Sequence, residues 1–579
     1  MTDRRLISAL VLLVLLLAAC GPAATPTIAP TATQPPASTG PTATPAPGTV
    51  ATATPRPVAT ATPATGVQPR QGGTLLVAKR GEPATWDPHG TPSGGRDTRE
   101  IHNLVFGLLA SPIPGEGNLC EIKVTPEVLE SWRWVTDTTL ELKVRQGIKF
   151  QNKPPVNGRE VTADDVAFSI QRALKIPAFG GVDVLTPRVK EVKATDRYTV
   201  RVTTESFLMT FEDSVIASRY ASTVLAPEAG GPEQSWEGPD HYIGSGPFAL
   251  EKWQPGVKFV FTRHASYWKP GLPYVDRLEQ VIMPDQSTRV SALRSGKLDT
   301  WFGVVPAVVI KEIESTAKQL QIQKCPADIG ATHLWMRTDV PPLNDVRVRR
   351  AISMAIDRQA IKDTVLFGEA IVVVEHPKST NPWHIGPEDL PPEIRGYQTY
   401  NPEAAKKLLA EAGYPNGLET VIAATRRYGT PYVEIAEALP SFLEKAGIRA
   451  KVNWVEYGRW SGTELRGNYD GILWTQWSHI HTISTLADLH STSNFMRNRS
   501  HVKDPVLDKY IDQLMTSVDP LKQKEAAGLI QQRVAEQAYI IVTPVPYDYA
   551  VTAPWVQGFT WTGSYWFSGS YLEKVWIKR

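Results

Sequence analysis

The chain of 579 residues has only three cysteines, which excludes a small scaffold held together by disulfides. It also has almost no net charge, since 61 Lys+Arg stand against 59 Asp+Glu for a formal balance of +2. Over such a length this gives no polyelectrolyte field, and a protein that binds nucleic acid by neutralising phosphates is excluded. Beyond Gly72 there is no run of 18 apolar residues, so this part carries no membrane-spanning signal. Familiar catalytic patterns are missing as well: no G-x-S-x-G elbow, no H-E-x-x-H pair and no Walker glycine loop occur. With 42% hydrophobic and 21% charged residues the chain is not wholly disordered. At roughly 100–200 residues per domain, its length calls for two to four domains.

What is present begins with an address. Residues Met1 to Cys20 combine an early charged stretch with Arg4 and Arg5, an apolar run from Leu6 to Leu17, and the small-residue end Ala18-Ala19-Cys20. The run falls short of the about 20 residues that span a bilayer and reads as a secretory signal. Its end, Leu17-Ala18-Ala19-Cys20, resembles the bacterial lipobox. That resemblance implies cleavage before Cys20 and lipidation of its thiol, with more than one acyl chain holding the protein at a membrane on the extracytoplasmic face of the cell envelope. Residues 21–71 are Pro, Thr and Ala with few large apolar side chains, as in Ala51-Thr52-Ala53-Thr54-Pro55. Such a segment cannot offset its chain entropy by burial and is expected to be a disordered linker. At about 3.1 Å per residue when extended, it could reach on the order of 150 Å.

From Gly72 onward, strand-like and helical stretches alternate without a repeat, which points to an α/β or α+β protein. Gly72 to Ala78 reads as a first strand, and Phe248 to Phe261, broken at Gln254-Pro255-Gly256, as a hairpin. Thr162 with Asp165 three residues on predicts a capped helix. Asp345 is expected to cap a second, with Val348, Ala351, Ile352, Ala355 and Ile356 buried. Asn401-Pro402-Glu403 opens a third that ends before Gly413. A helix from about Pro431 to Ala446 contains Pro440, which is expected to kink or split it.

Several stretches, in order, resemble the bacterial extracellular solute-binding proteins of family 5, the peptide- and nickel-type binding components of ABC importers. They are Gly72-Gly73-Thr74-Leu75 with Glu82 to Pro88, Val144 to Phe150 leading to Val161 to Val166, and Gly244-Ser245-Gly246-Pro247-Phe248 with Trp253. Tyr267-Trp268, Asp345 to Ile352, Ala355-Ile356-Asp357-Arg358, and Ala404 to Gly413 complete the series. The resemblance implies an α/β fold with a two-lobed, periplasmic-binding-protein-like clamp of the large type with an extra domain inserted in the first lobe. The expected division is 72–104, 241–330 and 541–579 for the core of lobe 1, 105–240 for the inserted domain, and 331–540 for lobe 2. Two crossings, near Cys325 to Trp335 and Ile540 to Val545, would form the hinge, and ligand would bind between the lobes. The implied partners are a small-molecule or peptide ligand and the permease subunits of an ABC transporter. A monomer without cofactor or catalytic residues is expected.

The candidate ligand-binding residues are Trp86, Arg426, Tyr428, Trp474, Trp477, Ser478 and His479. Tryptophan is over-used, with 17 Trp against 15 Phe, and joins a large apolar surface to one donor, which suits a cleft gripping varied ligands. In the family, the strand holding Trp474 and the loop from Trp477 face the ligand. The dipeptide and oligopeptide binders place an Asp shortly after this Trp to hold the ligand's α-ammonium. Here Trp477-Ser478-His479-Ile480-His481-Thr482 is followed by no acidic residue before Asp488, which puts a peptide ligand in doubt. A sugar, an opine or a metal chelate stands as the alternative, and a secreted hydrolase or a sensory receptor on the same scaffold as further ones. Arg426 falls near the position where dipeptide binders hold the ligand carboxylate; a solvated Arg426-Arg427 pair is the other reading. His479, His481 and His490 are expected to be polar loop residues, with a metal contact as the alternative. Cys120 and Cys325 are expected as free buried thiols, with a disulfide as the alternative.

Overall fold

The computed structural model describes residues 68–83, 85–90, 95–114, 120, 122–176, 188–209, 211–218, 221–231, 235–303, 305–327, 332–374, 383–476, 498–563 and 572–578. The chain divides into two units, Met1–Ala59 and Thr60–Arg579, and all described residues belong to the second. The expected leader and most of the expected linker therefore lie outside the described residues.

Among the described residues, three sheets of four or more strands organise the second unit. The large one has the spatial order Gln321–Pro326, Val545–Thr552, Thr300–Gly303, Thr74–Lys79, Arg277–Ile282, Lys258–Arg263 and Phe248–Gln254, with Ala370–Ile371 paired off this path. Its first strand runs parallel to Arg277–Ile282, and alternate residues Leu75 and Val77 enter a core with Phe259, Phe261 and Leu278. The expected hairpin forms around Pro255-Gly256, where Gly256 takes a φ of 70°.

Between that first strand and the hairpin lies an antiparallel sheet of four strands, Leu129–Thr136, Thr139–Val144, Thr199–Thr204 and Val189–Asp196. Helix Ala163–Lys175 covers it, burying Val166, Ile170 and Ala173 in a separate core with Leu140, Leu142, Val200 and Val202. The Asp165 carboxylate reaches back to the Thr162 amide at 2.8 Å, as the capping-box spacing predicts.

The third sheet has the order Ile448–Trp454, Leu418–Ala424, Ile472–Gln476, Thr332–Met336 and Ile540–Val542. Helices pack on both of its faces. Leu334, Ile472, Trp474 and Ile541 meet helices Val346–Ala355 and Tyr432–Glu444 on one side, while Trp335, Leu473 and Ile540 meet Pro505–Thr516 and Pro520–Gln537 on the other. Where the sheet is covered on both faces, its strands read as near-continuous apolar runs, as in Leu334-Trp335-Met336, Ile472-Leu473-Trp474 and Ile540-Ile541-Val542, whereas Ile448–Trp454 at one edge alternates apolar with polar residues. Asp345 caps the first of these helices by accepting from the Arg347 amide, and Asn401 caps Pro402–Glu411 by accepting from the Ala404 amide. The helix containing Pro440 is not split: it runs unbroken from Tyr432 to Glu444, held along Ile435, Ala436, Leu439 and Leu443, all fully buried. Among the described residues, no helix is long and apolar enough to cross a membrane.

The cysteines correct an expectation. Cys120 and Cys325 are not free thiols but a disulfide, with S–S 2.06 Å and Cα atoms 5.3 Å apart. They stand 205 residues apart in sequence, far enough for closure of the unfolded chain to contribute up to about 5 kcal/mol in the chain-entropy picture. Nothing in the local sequence reveals the pairing, because a distant contact brings the two residues together.

Where the inserted sheet's helix meets the large sheet, charge is buried. Arg172 forms a two-pronged pair with Asp87, at 3.0 and 2.7 Å. His89 beside it bonds the Thr223 carbonyl at 3.0 Å. Burial, and then the Arg172 charge, hold this imidazole well below its ordinary pKa; burial, then Arg99 and Lys79, do the same to His102. Both rings are therefore neutral in the folded protein but take up a proton in the unfolded chain below about pH 6.5. The unfolded state then binds more protons, so stability falls as the pH drops through that range. Urea unfolding at pH 7 and 5.5 is expected to show a loss of about 2 kcal/mol from these two groups, and His102→Phe should remove about half of it.

Candidate functional site

The chain passes between the large and the five-stranded sheet twice, and the passages lie side by side. Gln321–Pro326 pairs antiparallel with Val545–Thr552, ending at Pro326 opposite Tyr547; immediately beyond, Thr332–Met336 pairs antiparallel with Ile540–Val542, His333 opposite Val542. The Ala327 amide donates to the Pro546 carbonyl at 3.0 Å and the Thr543 amide to the Thr332 carbonyl at 3.0 Å, and the hydroxyls of Thr332 and Thr543 bond to each other. The expected pair of crossing strands is supplemented by a third attachment. Ala370–Ile371 pairs with Pro546 and Val545, and Glu369 before it accepts from Lys324 Nζ at 2.9 Å and from the Tyr549 hydroxyl at 2.7 Å.

Arg358 locks the second passage from behind. Its guanidinium donates to the carbonyls of Val542, Ser353 and Gln398 and to the side chains of Ser353 and Gln398, at 3.0 to 3.2 Å. No carboxylate is among these acceptors, and burial alone lowers its pKa to about 10. Arg349 and Arg350, in the run Asp345 to Ile352, donate to the carbonyls of Gln537 and Glu536 at the C-terminal end of helix Pro520–Gln537, where the helix leaves carbonyls unpaired. These arginines orient the chain leading into Ile540–Val542.

Strands Ile448–Trp454, Leu418–Ala424 and Ile472–Gln476 run parallel, and their carboxyl ends, Trp454, Ala424 and Gln476, form one edge. Ligands of open α/β sheets bind outside this kind of edge. Arg426, Tyr428 and Tyr457 follow two of these strands directly, and Trp477 follows the third. Strand alternation then sorts the side chains. Trp474, only 2% exposed, points into the helix-covered core with Ile422 and Ile472. Thr475 points the opposite way, and its hydroxyl meets that of Tyr428 at 3.3 Å. Trp460 donates from Nε1 to the same Tyr428 oxygen at 3.3 Å, and Tyr457 stands edge-on to the Tyr428 ring with centroids 6.5 Å apart. The half-buried Tyr428 ring is thus fixed between two polar contacts and one aromatic face.

Arg426 is held on the other side of the turn. It pairs with Glu437 at 3.0 Å and lies over the Trp454 ring at 4.0 Å, while 58% of its side chain remains exposed. Arg427 stands over Tyr457, at 5.7 Å from the ring centroid. Trp86 lies elsewhere, in the core of the large sheet, edge-on to Tyr242 and Trp253 at 5.3 and 5.0 Å. Glu82, in the same stretch, accepts from Trp253 Nε1 and the Gly256 amide, so this stretch packs against the hairpin. The structure therefore brings Arg426 and Tyr428 to one edge, sets Trp474 beneath it, and keeps Trp86 apart. Trp477, Ser478, His479, His481 and His490 lie outside the described residues. Sequence reasoning missed Thr475, Trp460 and Tyr457; the period of two along Leu473-Trp474-Thr475 was the available signal for Thr475. Among the described residues, no group of three metal-ligating side chains occurs.

Residues 123–494 match the family model described as bacterial extracellular solute-binding proteins, family 5 Middle. The chain belongs to this family. It is accordingly an extracytoplasmic solute-binding protein, the receptor component of an ABC importer. A heme-binding protein A from Haemophilus influenzae is 30% identical over 368 residues, which span 58% of this chain and 63% of that relative. A dipeptide-binding protein from Pseudomonas aeruginosa is 27% identical over 521 residues, covering 84% of this chain and 92% of the relative. Among solved structures, the binding protein AgaA in complex with agropinic acid, from A.tumefacien R10, superposes with a TM-score of 0.72 at 24% identity, covering 88% of this chain and 99% of that one. The fold is the two-lobed periplasmic-binding-protein clamp.

In such a clamp the hinge has to bend without unfolding, and Arg358 is the group that secures it. Arg358→Met is expected to lower the unfolding free energy by about 3 kcal/mol or more, because several buried carbonyls lose their donor; Arg358→Lys should recover only part of this. Urea denaturation of the three proteins checks the ordering.

Proposed function

We propose that the protein captures a peptide-like or other small polar organic solute between its lobes and hands it to an ABC permease. The observation that carries this reading is the edge where three parallel strands end together, with Tyr428 held by Thr475 and Trp460 and with Arg426 and Arg427 alongside. Aromatic rings held in place offer area at little entropic cost, and the guanidinium groups add a preference for carboxylates. The lobe division 72–104, 241–330 and 541–579 against 331–540, with 105–240 inserted, belongs to the same reading; it is supported by the segments from which each sheet draws its strands. Trp477, Ser478 and His479, one residue and more beyond Gln476, would continue the lining, and Trp86 would act through packing.

A ligand other than a peptide is favoured by one specific feature, the lack of any carboxylate between Trp477 and Asp488 that could receive an α-ammonium. The named relatives bind heme and dipeptide, and the similar structure holds agropinic acid, so the scaffold accommodates different chemistries. Native mass spectrometry of the purified protein is expected to show a co-purified small molecule. Thermal shift with trialanine, agropinic acid and hemin then separates the classes, since a ligand at 100 times its dissociation constant adds about 2.7 kcal/mol and a clear rise in Tm. Failure of any small solute to bind, or turnover of one, would sink the reading. Tyr428→Phe should weaken the solute that does bind by several-fold, because the ring loses both polar anchors.

We further infer that Cys20 carries the lipid anchor. Growth with labelled palmitate should label the protein processed at Cys20 and leave Cys20→Ser unlabelled; label retained by the variant would refute the anchor.

A further inference from the structure

Phe207-Leu208-Met209 joins the four-stranded sheet to the short helical turn Glu212–Ile216. Leu208 and Phe211 are fully buried in the core beneath that sheet. Met209, between them, turns the other way. Its side chain packs against the cluster of Leu507, Ile511, Leu514 and Met515, which belongs to the helix layer of the five-stranded sheet, and its amide donates to the Met515 carbonyl at 3.4 Å. Neither Met209 nor Met515 belongs to the crossing strands or to the Ala370–Ile371 attachment, so this contact joins the two bodies separately from the strand pairing of the hinge.

We propose that Met209 is a latch that holds the clamp shut independently of any solute. A contact between the bodies that is not part of the crossing strands is lost on opening, whereas the pairing of those strands survives it. Its strength therefore enters the open–closed equilibrium directly. Methionine suits the task, being unbranched and adaptable, so it can seat and leave without demanding a single fit. Apparent affinity scales with the closed fraction; a latch whose loss reduces that fraction tenfold weakens capture tenfold, whatever the solute.

The test needs no ligand. Small-angle X-ray scattering of the full chain without added solute should give a larger radius of gyration for Met209→Lys than for the parent, while Met209→Leu stays at the parent value. In a second measurement, the double variant Met209→Cys/Met515→Cys should form a disulfide on mild oxidation, mapped by mass spectrometry alongside the native Cys120–Cys325 bond. An unchanged radius in a folded Met209→Lys overturns the latch. Should that variant not fold, the cysteine pair decides alone, and its remaining reduced in a protein with parent-like circular dichroism overturns the proposal.

Discussion

The double passage of the chain between two sheets is the constraint on which the rest depends. The five-stranded sheet, covered by helices on both faces, is the centre of one body, and the large sheet is the centre of the other. Their covalent link is backbone. Here the backbone goes across as an antiparallel pair, tied by Thr332 and Thr543 at one side and by Ala327 and Pro546 at the other. A two-stranded ribbon resists shear and extension through its hydrogen bonds, yet it bends and twists easily. The third strand at Ala370–Ile371, with Glu369 clasping Lys324 and Tyr549, narrows those motions further. What a clamp of this kind recognises is then a matter of which contacts exist only when it is shut.

The arginine-rich run and the Ala355-Ile356-Asp357-Arg358 stretch acquire their meaning from this constraint. Neither touches the edge where the parallel strands end. Arg349 and Arg350 satisfy carbonyls at the end of a helix, and Arg358 holds the carbonyl of Val542 at the threshold of the hinge. A similar economy governs Gly244 and Gly246. A Cβ on Gly244 would sit 2.3 Å from the Val105 carbonyl oxygen, and one on Gly246 2.7 Å from the Val105 carbonyl carbon, so only glycine lets this loop lie against the helix Gly95–Val105. Tyr267, Trp268 and Lys269 knit three distant segments: Lys269 pairs with Glu127 and Glu573, Tyr267 donates to Glu573, and Arg145 covers Trp268. The stretches by which the family is recognised are therefore largely the joints of the scaffold, and the ligand-facing surface is free to vary around them.

That division accounts for relatives with different cargo on one architecture. The carboxyl edge of parallel strands is fixed by sheet topology, and side chains just beyond it can change without disturbing any core. Tyr428 illustrates the principle: its ring is steadied by Thr475 and Trp460, both contributed by the scaffold, while part of it stays exposed at the edge.

Residue order alone settled much of the scaffold. Thr162 with Asp165, Asp345, and Asn401-Pro402 cap their helices where local spacing says they should, because a cap is a contact within one turn. The hairpin at Pro255-Gly256 and the α/β class are likewise local or periodic properties. Contacts between remote segments were beyond such reading. The disulfide of Cys120 and Cys325, the pairing of Arg426 with Glu437 across its turn, and the turning of Trp474 into one core while Thr475, equally buried, faces the other side all depend on tertiary packing. A strand's pattern tells that alternate residues part company; only the packed layers decide which core each set enters.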